Sequence, residues 1–367
     1  MRAGISRFPA YIASMKINRR RFLTIVPAAG LIGGTGLYAY AERGRYYNGP
    51  LSDHFDGFRF FEPGWKSARG RLDFLRWQFT RELGEWPEQA PSPFSDRPPR
   101  RVDGTNLRVS FVGHASILLQ AGGMNLLLDP VWSERASPVT FAGPRRVNAP
   151  GITFDNLPPI DAVLVSHNHY DHLDVTTLSA LATPHRPRVI TPLGNDAIMQ
   201  GHDPSIATEA HDWGARIWLS KEVSVTLAPM HHWSARGLTD RNKALWAAFV
   251  IDTPAGRVYH VADTGYDTGR YFREAREHYG PFRLAILPIG AYEPRWFMHE
   301  NHMNPEEAIQ AFRDCGAEYA LAHHFDTFPM ADDGYGVAAR AHEAALKAAN
   351  IPAERFRRLK PGEVWDL

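Results

Sequence analysis

The chain has 367 residues, of which 44% are hydrophobic and 22% are charged, a composition typical of a globular protein with a sizeable buried core. Its formal net charge is +1, and it has neither a basic stripe that would indicate nucleic acid nor an acidic block typical of a disordered tail. The one cysteine, Cys315, excludes an internal disulfide framework and a cysteine-based zinc cluster. Any bound metal would therefore be held by imidazole and carboxylate groups.

The first 42 residues have the features of an export signal. Three consecutive arginines at 19–21 precede an apolar, glycine-rich stretch over 24–40, and residues 39–41 read Ala-Tyr-Ala, which fits a cleavage site. We interpret residues 1–42 as a twin-arginine signal, which would direct the folded protein to the periplasm. A membrane anchor, or a signal that stays uncleaved, is the alternative. Met15 is a second candidate start of translation.

Residues 43–100 are rich in aromatic residues, prolines and charges, and we interpret them as an N-terminal extension that packs on the main domain, 101–367. Within them, residues 72–77 predict the start of a short amphipathic helix, and the proline-rich segment 91–99 indicates a linker. Contact of the aromatic side chains with a membrane is an alternative role for this extension.

From Leu107 onward, predicted strands are interspersed with predicted helices, which is the pattern of an α/β protein. The predicted strands cover residues 107–112, 116–120, 124–128, 161–165, 223–227, 247–251 and 257–261. The predicted helices cover residues 174–182, 305–313 and 337–349.

The run His167-Asn168-His169-Tyr170-Asp171-His172 directly follows a predicted strand and precedes a predicted helix. Because strand and helix hold both ends of this loop, its side chains can converge on one point. Two imidazoles with one residue between them reach one ion, and the Asp-His pair that follows can turn toward a second, as two-metal hydrolases require. The run predicts a pair of metal ions; the alternative is a chance run in a histidine-rich loop.

A single loop has too few ligands for two ions, so later strand ends must supply the others. The candidates are His231-His232, Asp263 and His323-His324. Asp263 lies where a predicted strand ends in a tight turn, and a carboxylate there could bridge both ions. Each candidate alone is more often structural, but together and in this order they indicate a metal centre. Spacing does not decide which histidine of each pair is the ligand.

Several further stretches are particular enough to identify a family. They are residues 112–115, 128–130, 135–138, 157–174, 263–266, 288–298 and 304–308, of which the Gly290–Met298 run is the most specific. Over about Leu107 to Thr327 the chain resembles the metallo-β-lactamase superfamily and, within it, the N-acylphosphatidylethanolamine-hydrolysing phospholipase D group. The resemblance implies the αββα four-layer sandwich of that superfamily, with two Zn²⁺ ions per chain at one edge of the paired sheets.

The resemblance also implies which side chains bind the metals. The first zinc site would comprise His167, His169 and His232, the second Asp171, His172 and His324, with Asp263 as the bridge. His232 is chosen because His-Trp matches the family, and His324 because Thr327-Phe328 follows at the family's spacing. Phe325-Asp326 stands where the family has Trp-Gly, which is a departure at the outer wall of the pocket.

The activity implied is that of a zinc-dependent phosphoric diester hydrolase of phospholipase D type, which cleaves N-acylphosphatidylethanolamine to phosphatidate and an N-acylethanolamine. Asp171 would orient or deprotonate the nucleophile, and His302 and Tyr170 would contact the scissile phosphate or the acyl-amide. The alternatives for these two are a surface-loop histidine and a packed tyrosine. We interpret His114 and His299 as structural or as support for the metal ligands.

Two other functions are compatible with the sequence. One is hydrolysis of another ester, such as a lactone or a different phosphodiester, because one fold serves many substrates. The other is a metal-binding or lipid-binding protein without catalysis. The expected partner is a phospholipid, with peripheral membrane contact and no nucleic acid, and periplasmic export would place the protein beside that lipid. Manganese or iron would also fit imidazole and carboxylate ligands.

Overall fold

The computed structural model describes residues 46–367 of the chain. The predicted export signal, the alternative start at Met15 and the first residues of the predicted extension lie outside these residues.

The described residues form fourteen strands. These are β1 (Leu107–Gly113), β2 (Ser116–Ala121), β3 (Met124–Leu128), β4 (Ala162–Leu164), β5 (Arg188–Pro192), β6 (Thr208–His211), β7 (Arg216–Trp218), β8 (Ser224–Ala228), β9 (Ala248–Thr253), β10 (Gly256–His260), β11 (Leu284–Pro288), β12 (Tyr319–His323), β13 (Phe356–Arg358) and β14 (Val364–Asp366). All seven predicted strands are among them.

Seven α-helices lie within the same residues. They are α1 (Arg71–Thr80), α2 (Val175–Ala182), α3 (Asn195–His202), α4 (Arg270–Tyr279), α5 (Arg295–Met298), α6 (Pro305–Cys315) and α7 (Val337–Ala349). The three predicted helices of the main domain are confirmed as α2, α6 and α7. Helix α2 begins at its predicted place because the Asp174 side chain accepts hydrogen bonds from the backbone N–H groups of Thr176 and Thr177.

The strands form two mixed sheets of seven. The first has the order β14-β1-β2-β3-β4-β5-β6 and the second β13-β12-β11-β10-β9-β8-β7. Strands β1 to β3 are antiparallel neighbours, joined between β2 and β3 by Gly122 and Gly123, whose positive φ angles of 56° and 72° favour glycine. Strands β1, β3 and β4 consequently run in one direction, as do β8, β10, β11 and β12 of the second sheet.

Three hydrophobic cores define the layers. The first lies between the two sheets and includes Phe111 and Phe249. The second covers the outer face of the first sheet with α2 and α3, and it includes Leu127 and Leu178. The third packs α4, α6 and α7, with Phe312 among their side chains, on the outer face of the second sheet. Helices therefore cover both outer faces of a pair of sheets, which confirms the αββα sandwich.

Residues 46–100 differ from the prediction in two respects. A helix forms at the predicted place, as α1, but it is not amphipathic, because Leu72 and Phe79 are exposed while Trp77 is buried. The linker interpretation of residues 91–99 is wrong, since Asp96 is buried and accepts hydrogen bonds from Arg108 and Ser110 of β1. None of the helices in residues 46–367 is both long and apolar enough to cross a bilayer.

Candidate metal centre

The predicted ligands all follow the carboxyl ends of strands. The 167–172 loop follows β4, His232 follows β8, Asp263 follows β10, and His324 comes directly after β12. Because these strands run in matching directions within their sheets, their carboxyl ends bring the side chains together at one edge of the sandwich. Tertiary structure therefore joins four stretches that are far apart in the sequence.

The first cluster contains His167, His169, His232 and Asp263, each of which offers one atom within 4.8 Å of the others. The His169 Nδ1 atom lies 2.8 Å from His167 Nε2 and 3.4 Å from His232 Nε2. The Asp263 Oδ2 atom is 4.0 Å from His232 Nε2. Three imidazole nitrogens and a carboxylate oxygen thus surround one point, which is a ligand set that suits zinc.

The second cluster contains Asp171, His172 and His324, with His114 beside them. His324 Nε2 lies 3.1 Å from Asp171 Oδ2 and 3.1 Å from Asp263 Oδ2. His172 Nε2 lies 3.2 Å from the same Asp263 oxygen. Asp263 thus faces both clusters, as expected of a carboxylate that would bridge two ions.

The structure distinguishes the members of the two histidine pairs. His232 and His324 lie in the clusters. The ring of His231 is directed elsewhere, with its Nδ1 atom 2.6 Å from the buried Glu62 carboxylate. His323 lies on the other side of β12 from the cluster and packs 5.5 Å from the ring of His260. His231 and His232 both follow the end of β8, and His324 follows β12 with a φ angle of 63°, so contacts made in the folded chain decide which histidine of each pair faces the clusters.

A network beneath the clusters fixes the protonated nitrogen of two histidines. Asp129 accepts hydrogen bonds from the Ser166 hydroxyl at 2.7 Å and contacts His172 Nδ1 at 2.8 Å. Because Ser166 gives its proton to Asp129, its oxygen must accept one from His167 Nδ1, 2.9 Å away. Both imidazoles therefore carry a proton on Nδ1, and their Nε2 atoms face the clusters.

His232 has the same arrangement, since its Nδ1 atom lies 3.1 Å from the backbone carbonyl of Asn301, which can only accept. The His172 Nε2 atom faces the Asp263 carboxylate at 3.2 Å. Burial opposes a charge on His172, but Asp263 and Asp171 raise its pKa well above the ordinary value, so this nitrogen holds a proton or a metal ion. The Asp263 Oδ1 and His172 Nε2 atoms are also buried without a hydrogen-bond partner among residues 46–367. The donor set and these unpaired atoms fit bound metal ions.

The electrostatics agree with that fit. Burial lowers the pKa of His167 and of His232 well below the ordinary value, so both are neutral, as metal binding requires. Burial opposes the charge of His324, but the carboxylates of Asp263 and Asp171 outweigh it and raise the pKa of His324 to about 9. Burial would raise the pKa of Asp263, yet His324 and His172 lower it well below the ordinary value. Ionised carboxylates therefore favour positive charge here, as protons or as metal ions.

His302 and Tyr170 occupy different surroundings. His302 lies at the rim of the clusters, with its Nδ1 atom 4.0 Å from Asp263 Oδ2 and its side chain 13% exposed. Burial lowers the pKa of His302 to about 4, so the ring is neutral at neutral pH. The Tyr170 hydroxyl donates a hydrogen bond to the Arg236 carbonyl at 3.1 Å, while the Arg236 guanidinium lies 3.8 Å from the centre of the Tyr170 ring.

Two side chains contact predicted metal ligands in a way that the sequence alone does not define. Asp129 lies within a family stretch, but nothing in the sequence indicates that it contacts His172. His114 is buried and neutral, because burial, with the nearby His324, lowers its pKa to about 4. Its Nε2–H therefore donates to Asp171 Oδ2 at 2.9 Å. His114 and His324, like Asp129, have positive φ angles, of 56°, 63° and 39°, a strained backbone that is typical of functional sites.

The departure at Phe325-Asp326 has a structural explanation. The Phe325 ring stacks 6.0 Å from Phe111, in the core between the sheets. Asp326 has a φ angle of 52°, a conformation that glycine adopts freely, and its Oδ1 atom accepts a hydrogen bond from the backbone N–H of Gly336 at 2.7 Å. These two residues therefore support the turn that follows His324.

Comparisons with known proteins agree with this architecture. The family model described as "Beta-lactamase superfamily domain" matches residues 124–325. The N-acyl-phosphatidylethanolamine-hydrolyzing phospholipase D 1 of Caenorhabditis elegans is 34% identical over 273 residues, which are 71% of this chain and 76% of that protein. A UPF0173 metal-dependent hydrolase of Pyrobaculum calidifontis is 29% identical over 265 residues, 71% of this chain and 100% of that protein.

Among solved structures, the isothiocyanate hydrolase from Delia radicum gut bacteria superposes with a TM-score of 0.57 at 18% identity, covering 70% of this chain and 98% of that one. At that identity the likeness concerns the fold alone. Together with the extended match to the nematode protein, it leads to one conclusion. This chain belongs to the metallo-β-lactamase superfamily of metal-dependent hydrolases, in the group related to N-acylphosphatidylethanolamine-hydrolysing phospholipase D.

Proposed function

We propose that this protein is a dinuclear zinc phosphodiesterase of phospholipase D type that hydrolyses N-acylphosphatidylethanolamine to phosphatidate and an N-acylethanolamine. The observation that carries the proposal is a pair of histidine and aspartate clusters sharing Asp263, in a chain 34% identical to a relative named for this reaction. Hydrolysis of this substrate adds water across the bond between phosphorus and the N-acylethanolamine oxygen.

The ligand assignment is part of the proposal. The first ion would be bound by His167, His169 and His232, and the second by Asp171, His172 and His324. Asp263 would bind both ions. Two bound zinc ions would lower the pKa of a shared water to near neutrality and stabilise negative charge on the phosphoryl oxygens. Each imidazole whose Nδ1 proton is engaged elsewhere would present an Nε2 lone pair to its ion.

The remaining roles follow from the contacts around the clusters. Asp171 is held by His114 at 2.9 Å, which leaves its carboxylate positioned to orient the attacking water and to accept its proton. His302 is neutral and partly exposed at the rim, so it can donate a hydrogen bond to a phosphate oxygen or to the leaving oxygen. The Tyr170 hydroxyl donates its hydrogen bond to the Arg236 carbonyl, so we propose that the ring of Tyr170, and not its hydroxyl, contacts the substrate.

Product analysis on a panel of phospholipids, with metal content measured on the same sample, tests this function. We expect N-acylethanolamine and phosphatidate in equal amounts and two zinc ions per chain. Turnover of lactones without turnover of N-acylated phospholipid would assign the protein to the other ester hydrolases.

A pair of variants separates catalysis from simple binding. Asp263→Asn removes the shared charge, so we expect turnover to be lost. The matched control is Asp267→Asn, four residues later and exposed, for which we expect the rate of the unmodified protein. An unchanged rate for Asp263→Asn would contradict a catalytic role of the shared carboxylate, whereas no turnover by the unmodified, metal-loaded protein would support a non-catalytic, metal-binding or lipid-binding protein.

The proposed location is the periplasm, reached through the twin-arginine signal in residues 1–42, with membrane anchoring if the signal stays uncleaved. Such export carries folded proteins, which suits an enzyme that acquires its metals before it leaves the cytoplasm. Replacing both Arg19 and Arg20 with lysine should keep the protein in the cytoplasmic fraction. Undiminished export of that variant would contradict the assignment.

A further inference from the structure

His231 is the member of its histidine pair that does not face the clusters, yet it joins two segments that carry predicted ligands. It directly precedes His232, and its backbone is bonded to the turn that follows Asp263. The His231 backbone N–H donates to the Thr264 hydroxyl at 3.2 Å, and the His231 carbonyl accepts from the Gly265 N–H at 3.0 Å. A displacement of His231 would therefore move His232 relative to Asp263.

Three segments meet without free space at Gly265. A Cβ atom at this position would lie 2.3 Å from the Glu300 carbonyl oxygen and 2.9 Å from His231 Cδ2, which is closer than atoms can approach. Because close-packed segments transmit displacement to each other, a contact that holds one of them also holds its neighbours.

The N-terminal extension holds the ring of His231. The Glu62 carboxylate is buried and accepts the His231 Nδ1 proton at 2.6 Å. Trp65 packs against the same ring, edge to face, with the ring centres 4.3 Å apart. A hydrogen bond to a carboxylate is one of the stronger kinds in proteins, so the extension fixes the orientation of His231.

The extension reaches His232 by a second route. The Ser67 hydroxyl donates a hydrogen bond to the Glu300 carboxylate at 2.6 Å. The next residue, Asn301, accepts the Nδ1 proton of His232 through its carbonyl at 3.1 Å. Residues 62–69, which we call the brace, therefore contact both the residue before His232 and the segment that orients its ring.

The ligands of the second cluster are supported by the main domain itself. Asp129 contacts His172 Nδ1 at 2.8 Å, and His114 donates to Asp171 at 2.9 Å. The His114 carbonyl also accepts from the backbone N–H of His324 at 2.9 Å. These supports lie outside the extension, so the brace acts mainly on the first cluster.

We propose that the brace is a positioning element of the metal centre, which fixes His232 relative to Asp263 and thereby sets the affinity of the first zinc ion. Glu62 is a positioning residue, because it acts through His231 and is not itself a ligand. This inference rests on the proposed function for the identity and the number of the ions. It makes part of the N-terminal extension necessary for the metal centre, and not only an attachment to the main domain.

The test measures zinc dissociation constants by chelator competition for the full chain and for Glu62→Ala and Glu62→Gln. A His232→Ala variant identifies which constant belongs to the first ion. We expect Glu62→Ala to bind the first ion about tenfold more weakly, the low end of the range for residues that support metal ligands, and the second ion with unchanged affinity. Glu62→Gln should restore most of the affinity, because its amide oxygen accepts the same His231 proton.

Asp212→Ala is the matched control. The Asp212 carboxylate lies 2.7 Å from Nε2 of His54, so it also joins the extension to the main domain through a carboxylate and a histidine. Its segment, between β6 and β7, carries no predicted ligand. We expect urea unfolding to show lower stability for Asp212→Ala and for Glu62→Ala, but only the second to lose zinc affinity.

Several results would overturn the inference. They are equal zinc affinity in Glu62→Ala and the unmodified chain, an equal loss for both ions or in Asp212→Ala, and a Glu62→Gln variant that binds as weakly as Glu62→Ala. If Glu62→Ala does not fold, Glu300→Ala, which releases the second route, takes its place and should weaken the same ion. A protein that binds two zinc ions but hydrolyses no N-acylated phospholipid would refute the proposed function, while the zinc constants would still decide the role of the brace.

Discussion

Replacing Asp129 with asparagine tests whether the network beneath the clusters prepares them for metal. The buried carboxylate accepts hydrogen bonds from the Ser166 backbone N–H and hydroxyl, both at 2.7 Å, and lies 2.8 Å from His172 Nδ1. All three partners are donors, and an asparagine side chain has only one oxygen to offer them. The amide nitrogen must then face a donor in either orientation.

Both orientations have a defined cost. If the amide oxygen replaces Oδ2, the Ser166 backbone N–H loses its acceptor, and an unsatisfied buried donor costs about 1–3 kcal/mol of stability. If the amide oxygen instead replaces Oδ1, the amide nitrogen faces His172 Nδ1, so that two donors meet. His172 can avoid this by moving its proton from Nδ1 to Nε2. That tautomer removes the lone pair intended for the second ion. Loss of such a supporting partner typically weakens metal affinity about 10- to 100-fold.

The assay is a chelator competition that gives a zinc Kd for each protein, together with urea unfolding. Asp96→Asn is the matched control, because Asp96 is a buried carboxylate that accepts from Arg108 at 2.9 Å and Ser110 at 2.6 Å, outside the clusters. We expect both variants to lose stability but only Asp129→Asn to lose zinc affinity. Equal zinc affinity in Asp129→Asn and the unmodified protein would refute the reasoning.

Two further predictions concern stability. Burial, with the nearby Arg358, lowers the pKa of His342 to about 3, below its value in the unfolded chain. The neutral ring of His342 therefore contributes fully to the free energy of unfolding above about pH 6.5, and this contribution falls as the pH decreases toward 3. At about pH 5 this loss is about 2 kcal/mol. In urea unfolding, the difference in stability between the unmodified protein and His342→Leu should therefore change by that amount between about pH 8 and about pH 5. A difference that stays constant over this range would contradict the prediction. Removal of zinc by a chelator should lower the Tm, because zinc at a thousandfold its Kd stabilises the folded protein by about 4 kcal/mol for each site. Adding zinc back should restore the Tm. A Tm that does not change on complete chelation would count against bound metal.

Local sequence patterns predicted the elements around the metal loop well. The apolar run at 161–165 and the acidic start of the next helix correspond to β4 and α2, since the hydrophobicity of a run and helix capping can be read from neighbouring residues. Strands β6 and β11 escaped detection for different reasons. All four residues of β6 are half-buried, so no alternation marks them. The five residues of β11 are all buried, and the periodicity of such an apolar run does not distinguish a strand from a buried helical segment. Pairing with neighbouring strands defines both.

The site shows the same division between local and distant information. The 167–172 loop was recognisable because its ligands are close in sequence. The choice of His232 over His231 came from family resemblance, and its physical cause is distant: the His231 ring binds Glu62, 169 residues earlier. The role of Asp129 likewise depends on His172, 43 residues later. Contacts of this kind exist only in the folded chain.

Anomalous diffraction at the zinc edge, from crystals of the purified protein, tests the pair of cations most directly. We predict two peaks, one among His167, His169 and His232 and one among Asp171, His172 and His324, with Asp263 between them. A single peak, or peaks away from Asp263 in protein that hydrolyses its substrate, would contradict it.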